Sequence, residues 1–409
     1  MSLATAVMMS VGTLSAQAEE EGISIFDNVK VKGEIRPRYE MVDENNAKPN
    51  ANALTNRLVL GVNAGLFGTD WLSTYVEMTD VHAANDNYNS FSNGAANSVV
   101  ADPEQTRVTQ SYLDFKYNKT LLRYGRQMVN LDNQRFIGAV GWRQMPQTFN
   151  ATALVDNSIE NLDLMAAYVT QVNTIFADGG SKVNSAATET VLLHAKYKVM
   201  DALTVTGYGY LIEDFGDTYG IALTGKPKVG EGLTLDYRAE YATLGDTSFD
   251  TGTKVKNDAD YYNLLLGMNM GGILAAVNYE VQSGDNSADG TNNTFSTPLG
   301  TNHGHNGWAD KFLGTPSEGL VDANIMLGYK NKDFGVAKAV YHDFSSDVGS
   351  LDYGTEFDLL YKRAIPGVKG VTGMLKYADF SSDNSGASLV GGDVDTQKFW
   401  VMLDYKFSN

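Results

Sequence analysis

The sequence predicts an all-β protein, a transmembrane antiparallel β-barrel of about 18 strands (about 16 as the alternative), with short periplasmic turns and long extracellular loops. Three observations carry this reading. Segments alternate apolar and polar residues, as in Phe399-Trp-Val-Met-Leu-Asp-Tyr-Lys-Phe407, where Phe399, Val401, Leu403, Tyr405 and Phe407 share one side. Side chains alternate across a strand, so such a segment has one apolar and one wet face. The links between these segments alternate between tight and long. Finally, the N-terminus reads as an export signal, while no other stretch offers the roughly 18 consecutive apolar residues of a membrane helix.

Residues 1–18 read as a signal peptide: Leu3 to Leu14 form an apolar stretch and Ala16-Gln17-Ala18 a cleavage site, although the usual basic leader is missing. Residues 19–27 are expected to be a short periplasmic segment, and 28–409 the barrel. In the first strand Val29, Val31, Ile35, Tyr39 and Met41 oppose Lys30, Lys32, Glu34, Arg36, Arg38 and Glu40. So much charge on one face suits a water-filled lumen. In the second, Leu54, Leu58, Leu60, Val62 and Leu66 face out, with Arg57 and Asn63 inward. Val191, Leu193 and Tyr197 oppose His194, Lys196 and Lys198; Leu233, Leu235, Tyr237 and Tyr241 oppose Thr234, Asp236, Arg238 and Glu240. Near the end Tyr353, Phe357, Leu359 and Tyr361 oppose Asp352, Glu356, Asp358 and Lys362.

Candidate strands lie near 28–43, 54–66, 70–82, 107–117, 120–127, 147–155, 160–171, 188–199, 202–214, 217–226, 231–243, 258–270, 272–282, 320–331, 334–344, 351–364, 369–380 and 396–408. Tight links fall at Phe67–Asp70, Asn118-Lys119, Met200-Asp201, Gly271-Gly272 and Asn331–Asp333, and long ones at 83–106, 128–146, 244–257, 283–319 and 381–395. The link near 215 is short where a long one is due. Tyr39, Tyr75, Tyr117, Tyr197, Tyr329, Tyr377 and Tyr405 lie near segment ends, on or close to the apolar face, as interfacial girdles require.

Composition bounds the function. The net charge of −18 argues against nucleic acid as a partner. No cysteine is present, which removes disulfides and thiolate metal sites. The five histidines, His82, His194, His303, His305 and His342, accompany no G-x-S-x-G elbow, so no enzyme is expected. No cofactor is expected either. His303 and His305 are weak metal candidates, as are Asp285 and Asp289, whose loop could hold adventitious calcium.

The residues expected from the strand pattern to line the channel are Lys32, Glu34, Arg36, Arg38, Arg57, Lys196, Arg238 and Glu240. Arginines facing acids across a lumen create a transverse field that sorts solutes by charge and size. The bland alternative is that these arginines pair with Glu34, Glu40 and other neighbours to brace the wall. The link 283–319, with Trp308, Asp310, Lys311 and Phe312, is the leading candidate for a constriction loop, because apolar groups in a long loop need burial; an extracellular cap is the alternative. The stretch 128–146, with Arg135, Phe136, Trp142 and Arg143, is the second.

Four segments resemble porins of the alginate-export family: Gly33-Glu-Ile-Arg-Pro-Arg-Tyr39, Tyr124-Gly-Arg-Gln127, Gly141-Trp-Arg-Gln-Met-Pro-Gln-Thr-Phe149 and Asn306-Gly-Trp-Ala-Asp-Lys-Phe-Leu-Gly-Thr-Pro-Ser-Glu-Gly-Leu-Val-Asp322. The resemblance implies a monomeric outer-membrane barrel whose basic lumen residues, here Arg36, Arg38, Arg57, Arg126 and Arg143, select an anionic polymer. The many lumen acids depart from that pattern, and Ser408-Asn409 follow the aromatic on which barrels usually end. The expected function is an outer-membrane porin for passive diffusion of small hydrophilic solutes or ions. The alternatives are a selective channel for oligosaccharides or anionic polysaccharide export, and an adhesin or structural protein anchored by the barrel. Expected partners are outer-membrane lipid and lipopolysaccharide, the barrel assembly machinery, periplasmic chaperones and small solutes.

Overall fold

The structure, a computed structural model, describes residues 24–248, 258–285 and 293–409. Lipid offers no hydrogen-bond partners, so strands that span it must pair with one another and close. The chain does this with β1 (Phe26–Glu44), β2 (Ala51–Leu66), β3 (Thr69–Ala83), β4 (Gln105–Tyr117), β5 (Thr120–Gln127), β6 (Thr148–Asp156), β7 (Leu162–Asn173), β8 (Ser185–Met200) and β9 (Leu203–Ile212). The second half adds β10 (Gly216–Gly225), β11 (Leu233–Gly245), β12 (Ala259–Met270), β13 (Ile273–Gln282), β14 (Leu320–Asn331), β15 (Gly335–Ser345), β16 (Asp352–Ala364), β17 (Val371–Ser382) and β18 (Thr396–Ser408).

Each strand pairs antiparallel with its chain neighbours, and β18 pairs with β1, so 18 strands form one closed sheet. The seam runs from Lys32 opposite Ser408 to Glu44 opposite Thr396. Asn409 extends it: its N–H donates to the Val31 carbonyl (3.1 Å), and its side-chain oxygen accepts from the Val31 N–H (2.7 Å). The two residues after the last aromatic thus join the closing ladder.

Link lengths separate the two rims. Tight links such as 67–68, 118–119, 201–202 and 271–272 lie at the end that holds both β1's start and β18's end, while the links 84–104, 128–147 and 283–319 lie at the other. The outer link 213–215 is indeed short, and the outer links 45–50 and 346–351 are no longer than the inner link 226–232.

Facing follows parity except where a bulge or a misread phase intervenes. Leu264, Leu266, Val277 and Leu327 are exposed toward lipid, as their positions require. Tyr75 is inward and buried, its hydroxyl donating to Glu77 (2.5 Å), not part of a girdle. Tyr353 also faces in: a register shift between Phe344 and Ser345, opposite Gly354 at φ +113°, reverses the facing ahead of Phe357.

The apolar core lies inside the outer half of the lumen. Phe136 packs among Tyr208, Tyr261 and Phe295, and Phe312 among Phe344, Tyr353 and Phe380. Tyr88 and Val100 pack against Val42, Ala51 and Ala53. Outer links 84–104, 128–147 and 283–319 therefore fold back into the barrel, joined by Leu389 of the link 383–395, each large side chain contributing about 1.5–3 kcal/mol by burial. An inner strand face wet throughout its length is the wrong picture; toward the outer rim that face is covered by the protein's own loops.

Candidate functional site

The loops 128–147 and 283–319 meet inside the barrel. The Gly138 N–H donates to the Leu299 carbonyl (2.9 Å), the Thr301 N–H to the Gln134 carbonyl (2.9 Å), and the Gln147 amide to Gly138 and Leu299. The backbone of each loop thereby satisfies part of the other's hydrogen-bonding need away from water.

The strand wall holds these loops through charge. Arg36 donates to Gln144 (3.1 Å) and to the carbonyls of Gly141 (3.0 Å) and Arg143 (2.6 Å). Arg38, 1% exposed, donates to the Trp142 carbonyl (2.7 Å) and pairs with Asp102 from the link 84–104. Arg143 reaches Glu40 (3.1 Å) and Asp310 (3.0 Å). Arg36 and Arg57 also flank Glu34, at 3.6 and 3.4 Å. Arg36, Arg38 and Arg57 are inward as expected, but Arg36 and Arg38 grip loop backbone in addition to the neighbouring acids. A double Arg36→Ala, Arg38→Ala variant is therefore expected to raise single-channel conductance. A changed reversal potential with unaltered conductance would count against the anchoring role.

Asp310 is the centre of the second loop. It accepts from Arg143, from Lys398 (2.9 Å) and from His303 Nδ1 (2.6 Å). His303 stacks on Trp142 (4.3 Å between rings), and Lys376 donates to His303 Nε2 (2.6 Å) while lying over Trp308 (3.9 Å). The backbone N–H groups of Trp308 and Ala309 donate to Asp358 (3.2 Å) and Glu356 (2.7 Å). Lys311 is buried, donating to Thr396 (3.1 Å). Trp308, Asp310, Lys311 and Phe312 thus all lie inside the barrel rather than in an external cap.

Burial alone would raise the Asp310 carboxyl, but His303, Lys398 and Arg143 more than offset this and hold it well below the usual carboxylate range. Burial pushes Lys311 down to about 8.

Beneath the loops is a cavity of about 820 Å³ reaching the periplasmic turns at Asp201 and Lys226. Asn133 and Gly304–Trp308 border it from the loops, and Lys196, Arg238, Glu280, Asp322 and His342 from the wall. Arg238 pairs with Glu240 (2.6 Å), and Lys196 lies 3.7 Å from Asp132. Lys32, more exposed, lies 3.9 Å from Glu77. Glu280, in turn, pairs with Arg135 of the first loop (2.7 Å).

Arg126 is a correction. Strand β5 turns Arg123 inward, where it makes two bonds to Asp114 (2.7 and 2.8 Å), and puts Tyr124 and Arg126 on the lipid side. The alternation Leu122, Tyr124, Arg126 carried that signal. Arg135 belongs to the stretch 128–146 expected as the second infolding loop, whereas the anchors Gln144 and Asp102 carry no local signal that distinguishes them from other loop residues. His305 is half-buried near the Asn133 carbonyl (3.3 Å). Asp285 accepts from the Asn293 N–H (2.9 Å), and Asp289 lies outside the described residues.

Comparison with known proteins bears on this arrangement. Crystal structures of Acinetobacter baumannii OccAB4 (TM-score 0.72, 16% identity, 94% of this chain and 99% of that one) and OccAB3 (0.72, 17%, 93% and 100%) share the fold. So does Pseudomonas aeruginosa OpdK, solved with vanillate (0.68, 15%, 93% and 99%). No curated protein matches the chain by sequence. The family model for the outer membrane porin, OprD family, matches residues 89–311. The alginate-export label is not supported; the porin class is. With a match that spans the link 128–147 and most of the link 283–319 and covers more than half of its length, the chain belongs to the OprD family of outer-membrane porins.

Proposed function

We propose that this outer-membrane diffusion channel selects solutes by charge where the loops meet the wall, with the vestibule below as the waiting volume. The observation that carries this is the division of the wall. On β1, β17 and β18 the buried cations Arg36, Arg38, Lys376 and Lys398 outnumber the buried acids Glu40 and Glu44, while on β11 to β16 the acids Glu240, Glu280, Asp322, Glu356 and Asp358 outnumber the inward arginine, Arg238. A field across the lumen follows from such a split, and it orients solutes that carry charge at one end. Much of the inner wall is covered by loops, which favours small solutes over a polymer chain. OpdK was solved with vanillate, an aromatic carboxylate, and Lys196 and Arg238 at the vestibule wall could meet such a group.

Two further parts belong to the same reading: residues 1–18 as a removed signal peptide with the residues from 19 up to β1 as a periplasmic lead-in, and assembly as a monomer through periplasmic chaperones and the barrel assembly machinery. Planar-bilayer recording tests the channel. A small, steady conductance is expected, reduced by millimolar vanillate more than by its uncharged methyl ester. Shortening the link 128–147 by removing residues 134–143 should raise the conductance severalfold. Equal block by acid and ester would refute charge selection; an unchanged conductance would show that this loop does not restrict the pore.

A further inference from the structure

We propose that the outer wall carries a docking site for the phosphate of an outer-leaflet lipid headgroup, the lipid A portion of lipopolysaccharide, with Arg126 as its cation. Depth is the first argument. In the ladder Tyr124 lies opposite Thr152, and Thr152 opposite Tyr168. Tyr124 and Tyr168 are 63% and 43% exposed toward lipid, as interfacial rings are. Arg126 lies two residues further toward the outer rim on the same face, opposite Ser111 and Asn150. A guanidinium there sits at the headgroup level of the outer leaflet, where a lipid-facing charge is tolerated far better than at the midplane.

Partnering is the second argument. Arg126 Nε donates to Asn150 (2.9 Å) and Nη1 to the Val108 carbonyl (2.9 Å), which fix the plane of the group. Both acceptors are neutral, and among the described residues no carboxylate lies within ion-pair distance of Arg126. That is notable in a chain with net charge −18, where most other wall arginines have an acid beside them. The guanidinium keeps donors at Nη2 for an acceptor from outside the protein.

Shape is the third. Arg126 borders a hollow of about 510 Å³ on the outer wall, together with Ser111, Tyr124, Asn150, Thr152 and Thr170. Register shifts flank it: the β3–β4 pairing skips Thr109, and the β6–β7 pairing skips Thr170. Such bulges bend the strand and re-aim side chains. A charged fork beside hydroxyl and amide groups recognises a tetrahedral oxyanion. Because the hollow opens at headgroup depth on the lipid side, its phosphate comes from the leaflet rather than from solution.

Thermal unfolding of the full-length, delipidated protein in neutral detergent tests this. Bisphosphorylated lipid A should raise the wild-type Tm by several degrees, and dephosphorylated lipid A should not. Arg126→Ala should lose most of the response and Arg126→Lys should keep part of it. Thr152→Asp, which leaves Arg126 in place and puts a carboxylate in the hollow, should also abolish it, so the outcome does not depend on one variant's folding. Single-channel conductance of Arg126→Ala should match the wild type, since the residue faces away from the lumen. An equal lipid A response in wild type, Arg126→Ala and Thr152→Asp would overturn the proposal. So would an equal response to phosphatidylglycerol or inorganic phosphate, or a lipid-independent dimer that Arg126→Ala dissociates.

Discussion

Replacing Asp310 with alanine is expected to release the loop 283–319 from the barrel wall. The carboxylate holds Arg143, Lys398 and His303 at 3.0, 2.9 and 2.6 Å, all of them buried. Removing one partner of a buried ion pair costs about 3–5 kcal/mol, chiefly because the other charge is left without compensation. Arg143 retains Glu40, so Lys398 is the charge stranded most completely. The barrel ladder does not depend on Asp310. The expected result is a protein with unchanged β-sheet circular dichroism, a larger and noisier conductance, and new protease cleavage in the link. Asp310→Asn should fall between the two, since it keeps the shape and an acceptor but loses the charge. Wild-type conductance in Asp310→Ala would show that apolar packing around Phe312 holds the loop without the ion pairs.

Acidification should loosen the same contact. Lysine can only donate, so His303 Nε2 accepts from Lys376 and Nδ1–H donates to Asp310. The imidazole is therefore neutral when packed. Burial is the main cause, and although Asp310 pulls the other way, the charges of Lys376 and Arg143 help to push its pKa down to about 3. In a released loop it titrates near the ordinary value of about 6.5. Between those values the released loop binds a proton and the packed loop does not. The packed state thus loses about 1.4 kcal/mol per pH unit as pH falls through that window. Asp310 acts in the same direction at lower pH, its contribution present above the ordinary carboxylate range and lost below it. Lys311, pushed down by burial to about 8, completes its change above neutrality and adds no slope in the acid window. Conductance recorded from pH 7 to 4 should rise as the loops loosen, and His303→Phe, which keeps the stack on Trp142, should flatten the upper part of the curve. A flat wild-type profile would contradict this.

How much of this was legible depended on whether the deciding interaction was local. The strand segments could be read because alternation is a property of neighbouring residues, and β18 was plain from Phe399 to Phe407. Tyr353 and Tyr75 were misplaced for different reasons. A bulge shifts facing without marking the sequence, as Gly354 does; Tyr75 sits between Ser73 and Glu77 on the wet side, a phase that Val76 next to it already indicated. Arg126 was misread through its resemblance to a lumen arginine, although the run Leu122, Tyr124, Arg126 places it with lipid.

The segments singled out for resemblance have a physical meaning that their order along the chain does not show. Gly33–Tyr39, Gly141–Phe149 and Asn306–Asp322 meet inside the barrel, where Arg36 and Arg38 hold residues 141–144 and Arg143 holds Asp310.

The sequence by itself determined a closed outer-membrane barrel of about 18 strands, the direction of its loops and the inward facing of Arg36, Arg38 and Arg57, because strand periodicity and link length are written in consecutive residues. Only the tertiary structure decided between an infolded loop and an external cap, brought the links 84–104 and 383–395 into the lumen as well, made Arg36 and Arg38 anchors for loop backbone, and set which acid each loop cation meets. Those polar contacts join residues from about fifty to well over one hundred positions apart, and a loop folds inward only when the wall it meets offers both apolar surface and opposite charge.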